Sequence, residues 1–146
     1  MIPGRVVHDD LLYSIDEFGR NKLHYAANNG NLVSVTKLLG EGINIDAQDD
    51  IGWTALHFAA QNNHFKTIEL LLEYKANPNI HDKQGNGPLW TAGMNVKKGN
   101  YQAVVALLKA KANPNHSNHH GRSPLYIAKT MGDGLEEAFA KYAMKE

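Results

Sequence analysis

Eight histidines and fifteen carboxylates are the residues of this chain that could do chemistry, and their spacing decides which chemistry. The densest group is His116, His119 and His120, in the run His-Ser-Asn-His-His, and clustered imidazoles raise the question of a metal. Zinc sites need ligands fixed on rigid elements. This run lies in a polar stretch between helical patterns, so it reads as exposed loop histidines with no metal. His24 and His57 stand at one position of a repeated motif, where an imidazole ties turn backbone together rather than acting as a catalyst. Asp9-Asp10 and Asp49-Asp50 precede apolar segments, which suits helix caps and solvated turn tips better than acid–base pairs. The absence of cysteine removes thiol nucleophiles, disulfides and cysteine-ligated zinc, and leaves the redox compartment open. No nucleophile motif and no glycine-rich phosphate loop occurs. The expectation is a protein that is not an enzyme and uses no cofactor.

The elements that position these residues recur. Gly52-Trp53-Thr54-Ala55-Leu56-His57-Phe58-Ala59-Ala60 is preceded by thirty-three residues by Gly19-Arg20-Asn21-Lys22-Leu23-His24-Tyr25-Ala26-Ala27. It is followed at the same interval by Gly85-Asn86-Gly87-Pro88-Leu89-Trp90-Thr91-Ala92-Gly93, and thirty-six residues later by Gly121-Arg122-Ser123-Pro124-Leu125-Tyr126-Ile127-Ala128. A fixed period of this size means stacked units. Each unit opens with a turn glycine, then a cap residue and a helix starter: Asn21-Lys22, Thr54-Ala55, Gly87-Pro88 and Ser123-Pro124. Leu56, Ala59 and Ala60 give a short helix with a small-residue face, and Asn62-Asn63 interrupts it. Phe65, Ile68, Leu71 and Leu72 then recur at helical spacing, so a second helix buries one stripe. Neither helix is long enough to be stable alone, so each unit needs a neighbour.

This pattern resembles the ankyrin repeat, from its period to its Thr-Ala-Leu-His-Phe-Ala-Ala core and its Ala76-Asn77-Pro78-Asn79 stop. The resemblance covers the chain from about Asp16 onward. Trp90 replaces the usual histidine in the third unit, and Lys129 replaces the second alanine in the fourth. The fold expected is all-α: a solenoid of four stacked turn–helix–helix repeats with an N-terminal capping helix. The expected boundaries within this single domain are 1–15 for the cap, carrying Leu11, Leu12 and Ile15, then 16–48 and 49–81 for repeats one and two. Repeat three is 82–117 with a three-residue insertion inside 94–99, expected to protrude as a loop, and repeat four with its C-terminal cap is 118–146. The second-helix stripes expected elsewhere are Leu32, Val35, Leu38 and Leu39, then Tyr101, Val104, Leu107 and Leu108. Residues 135–143 form a weaker last helix, polar with Glu136, Glu137 and Lys141.

Fifteen basic and fifteen acidic residues cancel, which argues against nucleic acid or an anionic membrane as the partner. No stretch is apolar enough to span a bilayer and no signal peptide opens the chain, so a cytoplasmic monomer is the expectation. Residues 1–73 hold ten acidic and five basic residues, and residues 74–146 hold five and ten. In a linear stack those halves are the two ends, giving a polarised surface.

The ankyrin resemblance implies a protein-binding module, and it implies which positions line the concave side. In repeat one these are Glu17, Phe18, Arg20, Asn28 and Asn29; in repeat two, Asp50, Ile51, Trp53, Gln61 and Asn62. Repeat three supplies Lys83, Gln84, Asn86, Met94 and Asn95, and repeat four His119, His120, Arg122, Thr130 and Met131. Phe18, Ile51 and Trp53 would form an apolar patch on adjacent fingers, with Trp53 as an interface residue rather than folded onto its neighbour. Trp90, Phe58 and Leu56 read as core. Gly85–Trp90, the lengthened helix connection, and Ala112-Asn113-Pro114-Asn115 with Gly121–Leu125 also resemble small bacterial ankyrin-repeat immunity proteins. That resemblance implies a partner protein that is a toxin domain. The alternatives are an adaptor or effector acting on host proteins and, from another class, a metal protein or enzyme using the histidine cluster.

Overall fold

The computed structural model describes residues 12, 14–97, 99–132 and 134–143. Among these residues the elements are eight helices in four pairs. They are α1 Lys22–Asn29 with α2 Leu32–Gly40, and α3 Ala55–Gln61 with α4 Phe65–Glu73. Next come α5 Pro88–Met94 with α6 Gln102–Lys109, and α7 Pro124–Met131 with α8 Leu135–Tyr142. The first helices α1, α3, α5 and α7 pack in chain order as one layer. The second helices α2, α4, α6 and α8 form another, each also against its own partner. The fold is an all-α solenoid.

Each first helix starts where its cap residue dictates. The Asn21 side chain accepts from the His24 backbone N–H, while His24 Nδ1 accepts from the Asn21 N–H, both at 2.9 Å. Thr54 and His57 repeat this reciprocal cap. Histidine here does the work that a glutamate does in the ordinary capping box. Gly87 offers no side-chain cap, but Pro88 follows at the first helical position, where a missing N–H costs nothing. Ser123 caps α7 through the Tyr126 N–H at 3.1 Å.

The layers meet over small side chains on one side and branched ones on the other. Ala27, Ala59, Ala60 and Ala128 are fully buried and let the first helices approach closely. Val35, Ile68, Leu71, Val104 and Leu107 are likewise fully buried between the second helices. Fully burying such a side chain contributes about 1.5–3 kcal/mol, and neighbouring pairs share each one. No buried side-chain nitrogen or oxygen among the described residues lacks a hydrogen-bond partner.

Several details differ from the sequence expectation. Leu32 opens α2 and is 38% exposed, so the stripe there reduces to Val35, Leu38 and the half-buried Leu39. The inserted segment does not simply protrude. Val96 packs against the core, and the chain then turns tightly, with the Asn100 N–H donating to the Lys97 carbonyl at 2.7 Å. Leu12 is helical and packs on the core, whereas Ile15 is exposed and outside any helix. Residues 1–11 and 13 of the expected capping segment lie outside the described residues. At the other end, Leu135 and Phe139 anchor α8, and its Glu136, Glu137 and Lys141 face solvent.

Candidate functional site

The fingers between helix pairs are built by one device used four times. A carboxylate or amide at the start of each finger accepts two backbone N–H groups across the tip. Asp16 takes Phe18 and Arg20, and Asp49 takes Ile51 and Trp53. Asp82 takes Gln84 and Asn86, and Asn118 takes His120 and Arg122, all at 2.8–3.1 Å. Successive fingers are then joined by backbone hydrogen bonds: Asp50 N–H to the Phe18 carbonyl, Lys83 to Ile51, and His119 to Gln84, each 3.0 Å. At Gly52, φ is +91°, and an added Cβ would lie 2.8 Å from Asp82 Cα. Glycine is required there by both conformation and close approach. Asp49 is therefore a buried anchor and not a solvated tip; Asp50 beside it is exposed.

Three of the histidines, His24, His57 and His64, are tied into the frame by hydrogen bonds. His57 is fully buried; its Nδ1 accepts from the Thr54 N–H at 3.1 Å, so the Nε2–H donates to the Asn86 carbonyl at 2.9 Å. His24 makes the same pair of bonds, to Asn21 and to the Ala47 carbonyl. Burial pushes both imidazoles below their ordinary value, opposed in part by those carbonyls and by nearby aspartates. His64 Nε2 meets the Asn28 carbonyl at 3.0 Å, another inter-pair tie. The 116–120 run does not gather. His116 stacks on His81, ring centroids 3.6 Å apart, while His119 and His120 are exposed. Burial, then the adjacent His116, lower the His81 value. Among the described residues no three His, Asp or Glu side chains are placed to hold a metal ion.

Eight of the expected site residues gather at an open cleft of about 530 Å³ between the second and third fingers and the ends of their helices. It brings together Ile51, Trp53 and Gln61 from one side with Lys83, Gln84, Asn86, Met94 and Asn95 from the other. Ile51 and Met94 are each 50% exposed, so the cleft presents apolar surface to solvent. Three lining residues escaped the sequence reading: Asp82, Thr91 and Trp90. Trp90 is half-buried in the cleft wall and is not core. Phe58 and Leu56 are core as expected.

Several expected contact residues are occupied by the fold, Trp53 and Asn86 first among those at the cleft. Trp53 folds onto the next finger: its indole N–H donates to Asp82 Oδ2 at 3.0 Å, and its ring stacks on His57 and meets Phe58 edge-on. It still lines the cleft with one face. Asn86 is buried, accepting from the Asn118 side chain at 2.9 Å. Its side chain ties two fingers, which the sequence alone does not reveal because the partner lies thirty-two residues away.

The remaining positions lie outside this cleft. Phe18 is 50% exposed under the guanidinium of Arg20, which also bridges to Asp49 at 3.1 Å and caps the Phe58 ring. Arg20 is thus engaged. Glu17 and Asp50 are exposed on the first two fingers. Asn62 is exposed and donates to Asn28 Oδ1 at 2.7 Å, while Asn29 is exposed beside it. His119, His120 and Arg122 are exposed on the fourth finger, Arg122 over the Tyr126 ring, with Thr130 and Met131 exposed at the end of α7.

No helix among the described residues is long and apolar enough to cross a membrane. No curated protein matches the chain in sequence. A family model described as ankyrin repeats, in three copies, matches residues 23–118, more than half of the chain. The match takes in the first three helix pairs and ends at Asn118, the anchor of the fourth finger. With four equivalent fingers and two layers of helices around it, this chain belongs to the ankyrin-repeat family.

Proposed function

We propose that this chain is a non-catalytic binding module that holds a partner protein against its concave face, centred on the cleft between the second and third fingers. Ankyrin repeats are generally protein–protein interaction modules. The observation that carries the reading is the exposed apolar surface of Ile51 and Met94 set in a walled cleft on a rigid hydrogen-bonded frame. Exposed apolar groups in a polar rim are what interfaces bury, and a frame that does not move loses little entropy on docking. The boundaries 16–48, 49–81, 82–117 and 118–146 remain our reading of the repeats. The charge halves give the orientation. A partner would set basic surface against Glu17 and Asp50, and acidic surface against Lys83 and Arg122. The narrower reading is an immunity protein that blocks a toxin's catalytic domain. It rests on the sequence likeness of Gly85–Trp90 and Gly121–Leu125 to such proteins.

The test is affinity capture from the native cell, then titration of the captured protein with Ile51→Asp and Met94→Asp. Both sites are exposed, so the variants should fold as the wild type does. Loss of about tenfold or more in affinity is expected when a central apolar contact becomes a charge. Wild-type affinity in both folded variants would move the binding surface elsewhere.

A further inference from the structure

The polar groups of the cleft are mostly spent on the fold, and those that are not define what it can recognise. Asp82 is the carboxylate in the wall. One of its oxygens accepts the Gln84 and Asn86 N–H groups and the other accepts the Trp53 indole N–H. Asn86 is bonded to Asn118, Asn95 Nδ2 donates to the Thr91 carbonyl at 2.8 Å, and the Thr91 hydroxyl donates to Gly87. By contrast the side chains of Lys83, Gln61 and Gln84 have no hydrogen-bond or ion-pair partner among the described residues, and all three are exposed. What faces a ligand is therefore an unpaired cation, two free amides, and the apolar surfaces of Ile51, Met94 and the two tryptophans.

We infer that this cleft takes an acidic segment of the partner, one in which a large apolar side chain lies beside an aspartate or glutamate. The inference rests on the reading of the concave face as the docking surface. The apolar side chain would be buried against Ile51, Met94 and the indole faces, which is where the affinity comes from. The neighbouring carboxylate would pair with the Lys83 ammonium, and Gln61 and Gln84 would bond the segment's backbone. A basic segment is disfavoured for two reasons. It meets Lys83 as a like charge. Its only counter-ion in the wall, Asp82, is half-buried and already accepts three hydrogen bonds from Trp53 and the third finger tip, so it has little left to offer a cation.

The chain's two tryptophans, Trp53 and Trp90, both line the cleft, so intrinsic fluorescence reports its occupancy directly. The probes are three capped heptapeptides: Gly-Ser-Asp-Phe-Glu-Ser-Gly, the same with lysine for both acids, and the same with alanine for phenylalanine. Saturable binding of the first is expected, with the lysine and alanine peptides each about tenfold weaker or more. Lys83→Glu should abolish the preference for the acidic peptide, with its far-ultraviolet circular dichroism unchanged. The preference should also shrink as salt rises, since an exposed pair is screened. Equal binding of the acidic and basic peptides, or preserved preference in Lys83→Glu, would overturn the assignment. So would no saturable response to the acidic peptide. Those failures leave the docking surface itself to be judged separately by Ile51→Asp and Met94→Asp against the native partner.

Discussion

Lowering the pH from 7.5 to 5.5 should destabilise the protein through two histidines that the fold keeps neutral. His24 and His57 are buried, their Nδ1 atoms accept backbone N–H groups, and their Nε2–H groups donate to carbonyls. A second proton on either ring would replace an acceptor with a donor facing an N–H. Burial pushes both below the ordinary value, so the unfolded imidazole charges near pH 6.5 and the folded one only further down. In that window the unfolded state holds more protons, and stability falls as pH falls. A ring that stays neutral in the fold loses about 1.4 kcal/mol over this interval, so these two lose at most about 2.7 kcal/mol, and the lowered His81 adds in the same direction. Carboxylates contribute little there, because they titrate lower. The assay is urea unfolding followed by circular dichroism at pH 7.5, 6.5 and 5.5 (values chosen to bracket about pH 6.5), with the denaturant slope checked for constancy. An unfolding free energy that is flat across this range would refute the assignment of both rings as neutral structural ties.

Other perturbations test the frame. Leu56→Ala and Leu71→Ala, each truncating a fully buried side chain between helix pairs, should cost about 2–5 kcal/mol, read as a lowered unfolding midpoint. Gly52→Ala forces a left-handed residue and drives Cβ into the Asp82 and Lys83 backbone, so a loss of about 2 kcal/mol or more is expected in the same experiment. Deleting residues 97–99, the turn beyond the packed Val96, should leave unfolding cooperative with a melting temperature within about 5 °C of wild type.

The sequence carried the frame because that frame is local. Asn21, Thr54, Gly87 and Ser123 cap helices three residues away or less, and all four helix starts stand where the cap residues put them. The aspartate anchors at 16, 49 and 82, with Asn118, also recur visibly in the sequence, yet their role emerges only when each is seen holding two amides of its own finger. The site was half legible. Positions at finger tips and helix ends do converge on the cleft, but which side chains remain available depends on contacts about thirty residues away. Trp53 finds Asp82, Asn86 finds Asn118, and Arg20 finds Asp49, and nothing within one unit states those pairings. Trp90 misleads for a related reason. In the two units before it, the residue at its position is a small buried imidazole, whereas the larger indole is only half-buried and reaches the cleft wall as well as the third finger.

If a partner docks in the cleft between the second and third fingers, hydrogen exchange on the native complex should register it at the fingers. The finger-joining amides of Asp50, Lys83 and His119 run along the fingers, and α2, α4 and α6 form the second helix layer. Slowed exchange at residues 50–53, 83–86 and 94–95 on binding, with α2 and α4 unchanged, is the predicted result. Protection confined to the second-helix layer, with the fingers unaltered, would contradict the account.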